Sequence, residues 1–294
     1  MRSTRTALVT FAAALALPAW SFAQQTFDSP QAASDALIQA ARSNDTAQMR
    51  ALFGSQGQQI LTSGNAQQDQ AERAEFAKLA AQQHKVEMDS RNPNRALLTV
   101  GPEDWPFPVP LVRTNGKWGF DASAGAVEMH VRRVGANELD AIEVCAGYVQ
   151  AQKEYADRGS TPTEYARHVL SSPGKQDGLY WEGTPAPLVP KQFAQSVWNA
   201  QQHGKAYHGY YFSILTAQGP DAPGGQHSYL MKDRLAGGFG LVAWPAAYGV
   251  TGIHTFIVNQ DGAVYEKDLG PQQGKTGPPI STYNPGRSWT LVDE

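Results

Sequence analysis

The chain has a single cysteine, Cys145, in 294 residues. No internal disulfide can form, so the fold must rest on its core. Charge is sparse at 17%, the formal net charge is −3, and no block of Lys and Arg stands out. A phosphate backbone needs a basic face, so nucleic acid is not an expected partner. Beyond residue 23 no stretch approaches the 18 or so apolar residues of a membrane span. Common catalytic signatures are missing as well: no His-Glu-x-x-His, Gly-x-Ser-x-Gly, Cys-x-x-Cys, phosphate loop or Rossmann glycine fingerprint. Asp261-Gly262 lacks the run of acidic ligands of a calcium loop and reads as a turn. What is present is 41% hydrophobic residues, enough for a packed core. At about 150 residues per domain the length suggests two domains.

The first 23 residues read as an export address. Arg2 and Arg5 give a short positive region, Ala7 to Ala19 is almost purely apolar, and Ser21-Phe22-Ala23 places small residues before a cut ahead of Gln24. As a helix the apolar run would reach only about 20 Å, short of a bilayer core of about 30 Å. The mature chain is expected to be soluble and periplasmic, not an integral membrane protein.

Ser29 is a natural N-cap and Pro30 suits a first helical position, so a helix is expected to Arg42. A second runs from Thr46 to Phe53. Ser63 to Asp69 reads as a polar loop, and Gln70 to His84 as a third helix. Strands follow at Val86–Met88, Arg95–Val100, Val109–Arg113 and Trp118–Asp121, the last two around an Asn115-Gly116 turn, the strongest short hairpin signal. Asn137 to Arg158 is the clearest helix, with Leu139, Ile142, Ala146 and Val149 as one stripe and Val144, Tyr148, Ala151 and Tyr155 widening it. Thr161 to Ser171 reads as a shorter helix and Gly178 to Pro190 as irregular. Strands are expected at Tyr210–Leu215 and Phe239–Trp244, with a hairpin from Thr255–Asn259 to Ala263–Lys267. The Pro- and Gly-rich tail after Gly270 reads as extended or loosely packed, with Trp289 available to dock.

Helices followed by an antiparallel sheet indicate an α+β protein. Over residues 26–130 this order resembles the nuclear transport factor 2-like (cystatin-like) cone fold. Further residues carry a broader likeness: Arg132 to Leu139, Ala151 to Tyr155, Lys175 to Trp181, Gly209 to Phe212, Ala222 to Gly225, Gly238-Phe239, Trp244 to Gly249 and Thr255 to Gly262. Together they resemble the uncharacterised exported bacterial family catalogued as domain of unknown function 2950, which implies no particular activity. The later half is also similar to the globular part of type IV pilins and pseudopilins. The matching positions are Ala151, Gln152 and Tyr155; Gly209, Tyr210 and Phe212; Ala243 and Pro245; and Gly252, Phe256, Val258, Asp261 and Gly262. A pilin's apolar assembly helix begins its chain, whereas here a whole domain comes first. The resemblance therefore implies a pilin-like sheet used as a soluble module, not a polymer. The resulting division is a signal peptide over 1–23, an α+β cone-like domain over 24–138, a pilin-like domain over 139–270 and the tail over 271–294.

Chemistry-bearing residues form no catalytic set. Cys145, among Ile142, Val144, Tyr148 and Val149, reads as a buried small hydrophobe rather than a nucleophile. His208, His227 and His254 are the candidates for a zinc site, though their spacing does not demand one, and no cofactor is expected. Asp177, Glu182, Asp261, Glu266 and Asp268 offer acids for a glycosidase, which needs two flanking one bond. Aromatic residues crowd the second half. Most belong to a core, but Trp181, Tyr210, Tyr229 and Trp244, with His254, are the candidates for a binding surface. The leading reading is a non-catalytic interaction module whose partner is an envelope protein or polymer. The alternatives are a hydrolase of an envelope polymer and a small-ligand site in the first domain near Trp105 and Trp118. Oligomeric state is left open.

Overall fold

In the computed structural model the described residues are 24–62, 65–159, 164–183, 185–197, 205–271 and 277–292. They form two compact units that divide between Met129 and His130. Residues 1–23, read from the sequence as a signal peptide, lie outside the described residues. No helix among those described is long and apolar enough to cross a membrane.

The first unit opens with α1 (Pro30–Arg42), α2 (Thr46–Phe53) and the single turn α3 (Gln58–Leu61). Ser29 Oγ accepts from Ala32 N at 3.1 Å and Asp45 Oδ1 from Gln48 N at 2.9 Å, each satisfying a donor at a helix start. The next helix, α4 (Ala66–Gln82), begins inside the stretch read as a loop. Asn65 decides this: its Oδ1 accepts from Gln67 N and Gln68 N, and the polar residues that follow are good helix formers. The strands are β1 (His84–Asp89), β2 (Asn92–Val100), β3 (Trp105–Pro106), β4 (Leu111–Thr114) and β5 (Lys117–Phe120). They form an antiparallel sheet in the order β1-β2-β4-β5, with β3 beside β2. Asn115 and Gly116 both have left-handed φ, +52° and +81°, as a two-residue hairpin turn requires. Ala96, Leu98, Val100, Leu111 and Phe120 pack with Leu37, Leu52 and Phe53.

Helix α5 (Ala122–Arg158) starts 15 residues before the expected Asn137, capped by Asp121 Oδ1 accepting from Ala124 N. Val127, Val131 and Leu139 are exposed along it, so its early turns show no core stripe that sequence could reveal. The buried face is Ala141, Cys145, Tyr148, Val149 and Gln152. Leu139 and Ala146 of the expected stripe face outward.

The second unit's sheet contains β8 (Tyr210–Leu215), β13 (Gly240–Pro245), β14 (His254–Asn259), β15 (Tyr265–Asp268) and β16 (Thr290–Leu291). Its order is β16-β15-β14-β13-β8, antiparallel throughout. The inner face carries Tyr210, Phe212, Leu241, Ala243, Phe256 and Val258 and packs in one cluster with α5 residues. The outer face carries Leu215, Val242, Trp244 and Ile257. It is covered by the tail, which is therefore not loose: Tyr283 is buried, Ile280 and Trp289 pack beside it, and β16 extends the sheet.

Two short elements replace the helix expected over Thr161–Ser171. Residues 160–163 lie outside the description. Tyr165 forms a β-bridge with Leu235, and β6 (His168–Leu170) pairs in parallel with β7 (Gly178–Tyr180), which falls in the stretch read as irregular. The cause is a buried amide. Gln152 Oε1 accepts from Ala166 N at 2.8 Å while its Nε2 donates to Ala166 O at 2.9 Å, so a side chain plays the part of a neighbouring strand. Small two-residue ribbons, β9 (Ala217–Gln218) with β10 (His227–Ser228) and β11 (Leu230–Met231) with β12 (Arg234–Leu235), and α6 (Lys191–Ser196) complete the unit.

Candidate functional site

A tight turn places the central residue of the site. Tyr207 N donates to Tyr210 O at 2.9 Å and Tyr210 N to Tyr207 O at 3.0 Å, closing a two-residue hairpin on His208 and Gly209. Both have positive φ, +48° and +75°. Asn-Gly is the pair this turn prefers, so a histidine there is a departure the backbone does not ask for. Its imidazole finds partners: Nδ1 lies 2.5 Å from Asp140 Oδ2, and the Tyr207 ring packs edge-on with centroids 4.2 Å apart. Asp140 is a carboxylate, so Nδ1 carries the proton and donates, and Nε2 is the ring's second nitrogen.

Asp140 sits on α5, and Glu143 and Gly147 follow it along the helix. They border a cavity of about 240 Å³. Its apolar walls are Val144, Tyr148, Leu188, Val189 and Phe193; Asp140, Glu143 and His208 supply the charged and titratable groups. Phe193 and Val189 are buried, Leu188 and Tyr207 are half-buried, and Glu143 is exposed. Gly147 is informative. Glycine inside a helix costs about 1 kcal/mol relative to alanine, and a Cβ there would meet nothing within 4 Å. Packing within the chain does not require its small size.

The residues just before this site act as a clamp. Asn137 Nδ2 donates to Thr251 O at 2.9 Å. Glu138 Oε1 accepts from Ile253 N at 2.7 Å and from His254 N at 3.0 Å, and its Oε2 lies 3.3 Å from His254 Nδ1. Tyr210 Oη donates to His254 O at 3.0 Å. Burial, and then the Glu138 charge, push the Tyr210 hydroxyl well above its ordinary value, so it stays protonated and donating. Gly252 is required here, because a Cβ would stand 2.1 Å from Tyr210 Oη. The clamp fixes the loop between β13 and β14; it is structural.

The sequence-predicted residues fall in different places. Tyr210, Tyr229 and Trp244 are at most 1% exposed. They are core residues out of a ligand's reach, because in this aromatic-rich half the large rings fill both sides of the sheet. His254 is held by Glu138. Trp181 is half-exposed and borders a separate cleft of about 280 Å³ with Tyr155, Arg158 and Glu164. The three candidate metal histidines have different partners: His208 meets Asp140, His254 meets Glu138, and His227 Nδ1 lies 3.2 Å from Gly225 O. No group of three or more His, Cys, Asp or Glu able to hold a metal occurs among the described residues. Burial pushes the Cys145 thiol up to about 12, which keeps it protonated and unreactive. In the first unit, the rings of Phe53, Phe76, Phe107 and Phe120 pack together with centroids 5.1–6.4 Å apart, one pair stacked and the others tilted or edge-on. Trp118 is buried and Trp105 is 45% exposed. Sequence reading missed Asp140, Glu143 and Gly147; the one available signal was a His-Gly pair standing where Asn-Gly is usual.

Fold and site together define a mixed α+β protein with a small apolar groove bordered by carboxylates. Residues 24–292 match the family described as Protein of unknown function (DUF2950), and the chain belongs to that family. No curated protein and no solved structure matches the chain.

Proposed function

We infer that the protein is an exported periplasmic binding module of the cell envelope that works without catalysis. The observation that carries this is the groove beside α5, with its apolar walls, polar rim and freely open glycine. Concave apolar sites with a few convergent polar groups are where ligands bind. Among the described residues the groove's lining holds no serine, threonine or cysteine nucleophile, and Asp140 and His208 are 40% and 45% exposed. Export is supported by the tripartite first 23 residues and by a family match that starts at residue 24. Helices against an antiparallel sheet support a cone-like first domain, and α5 against the β8-β13-β14 face supports a pilin-like second one.

The test is site-specific photocrosslinking in cells. A crosslinker replacing Leu188 in the groove should give a discrete adduct in the periplasmic fraction, and one replacing exposed Glu87 on β1 should not. Mass spectrometry of the same fraction should find Gln24 as the first residue. No adduct at 188, or adducts equal at both sites, would sink the reading.

One observation favours a second reading. An imidazole whose Nδ1 is held by a carboxylate is oriented as a general base, so the Asp140–His208 pair fits a hydrolase of an envelope polymer. Release of soluble fragments from isolated envelope polymer by the wild type, lost in His208→Asn, would replace binding by catalysis.

A further inference from the structure

We propose that the α5 groove receives one bulky apolar side chain of a partner protein, from a segment in which that residue is flanked by Lys or Arg. This rests on the binding-module reading and adds the chemistry of the occupant. The argument begins with size. About 240 Å³ is below the roughly 300–1,000 Å³ of a small-molecule pocket, yet ample for a single leucine- or phenylalanine-sized anchor of the kind that dominates protein interfaces. The walls suit it: Val144, Leu188 and Phe193 are apolar, and Gly147 leaves the entrance clear.

Charge sets the flanking residues. Asp140 and Glu143 stand at the groove, and no Lys or Arg is among its described lining residues. A cation beside the anchor is attracted here and a carboxylate is repelled, so the rim selects by sign. His208 occupies a turn position that asparagine would serve better, and there it holds Asp140 at the groove.

The experiment uses the mature chain and a dye-labelled peptide with one leucine flanked by lysines, followed by fluorescence anisotropy. Control peptides replace the lysines by glutamates, or the leucine by alanine. Saturable binding of the basic peptide is expected, with each control weaker by at least about fivefold. Gly147→Leu extends into the groove from a position where a Cβ meets nothing within 4 Å, and should abolish binding at an unchanged or raised melting temperature. Glu143→Gln should weaken the basic peptide by roughly two- to fivefold and narrow its advantage over the acidic one. Equal binding of basic and acidic peptides, full binding to the Gly147→Leu chain, or no binding of the basic peptide would overturn the proposal. If the adduct at position 188 persists and excess basic peptide does not compete with it, the ligand chemistry falls and the binding-module reading stands. If the adduct is absent too, both fall.

Discussion

The two sheets are buried in different ways. In the first unit, β2 and β4 turn Ala96, Leu98, Val100 and Leu111 into a core shared with α1 and α2, while Arg95, Leu97 and Val112 remain half-exposed on the other face. In the second unit, β13 is buried from Gly240 through Trp244 with no alternation, because α5 covers one face and the tail the other. A continuous apolar run in a strand demands two covers. Here a proline- and glycine-rich segment supplies the second, a role its composition does not advertise.

The sharpest way to break this contrast is to uncover one outer face in each unit. Tyr283→Ala removes a fully buried ring of the tail that covers the second sheet and should cost about 3–5 kcal/mol. Leu97→Ala, on a half-open face, should cost under about 1 kcal/mol. Urea unfolding followed by tryptophan fluorescence reads both, and similar losses would mean that the tail is not a true cover.

Glycines give the next largest difference. Gly252→Ala drives a methyl against the buried Tyr210 hydroxyl and should cost about 2 kcal/mol or more. Gly116→Ala meets open space but a φ of +81°, and should cost about 1 kcal/mol. Thermal melting separates collision from strain by the size of the drop.

The two hairpin turns sharpen the comparison between fold and site. Asn115→Ala should lose about 1 kcal/mol, because alanine tolerates left-handed φ poorly. His208→Asn should be neutral or gain a few tenths of a kcal/mol while weakening the groove's ligand. A large loss of stability on His208→Asn would make that histidine a fold residue.

The smallest effect is on the acid side. In the β1–β2 turn, the Arg91 backbone N–H and then the Arg95 guanidinium hold the Asp89 carboxyl below its ordinary 3.8. A lowered folded-state value means stabilisation present above the ordinary value and lost as pH falls through the lowered one. The melting temperature of the wild type should therefore fall slightly more than that of Asp89→Asn between about pH 5 and pH 2. Parallel curves would show that the pair contributes nothing.

Much of the first unit was legible because its signals are local. Ser29-Pro30 starts a helix, Asn115-Gly116 turns a hairpin, and alternation marks β2, each acting within a few residues. The errors lie where a distant group overrules the neighbourhood. The chain from Tyr165 to Leu170 makes a bridge and a strand rather than a helix because Gln152 supplies the hydrogen bonds. Helix α5 begins at Ala122 although Val127 and Val131 face outward. Tyr210, Tyr229 and Trp244 are aromatic like binding residues, and only burial tells core from surface. The groove was illegible for the same reason: Asp140 and His208 lie 68 positions apart.

By itself the sequence determined the α+β class, the clearest caps and turns, and the pairing of Tyr210–Leu215, Phe239–Trp244 and Thr255–Lys267 as antiparallel strands. Those follow from backbone geometry and hydrophobic period, which neighbouring residues set between them. The tertiary structure alone decided which face of α5 is buried, that the tail closes the second sheet, and that two acids and a histidine border one apolar cavity. Burial depends on what lies on the far side of a side chain, and no neighbour in the chain supplies that.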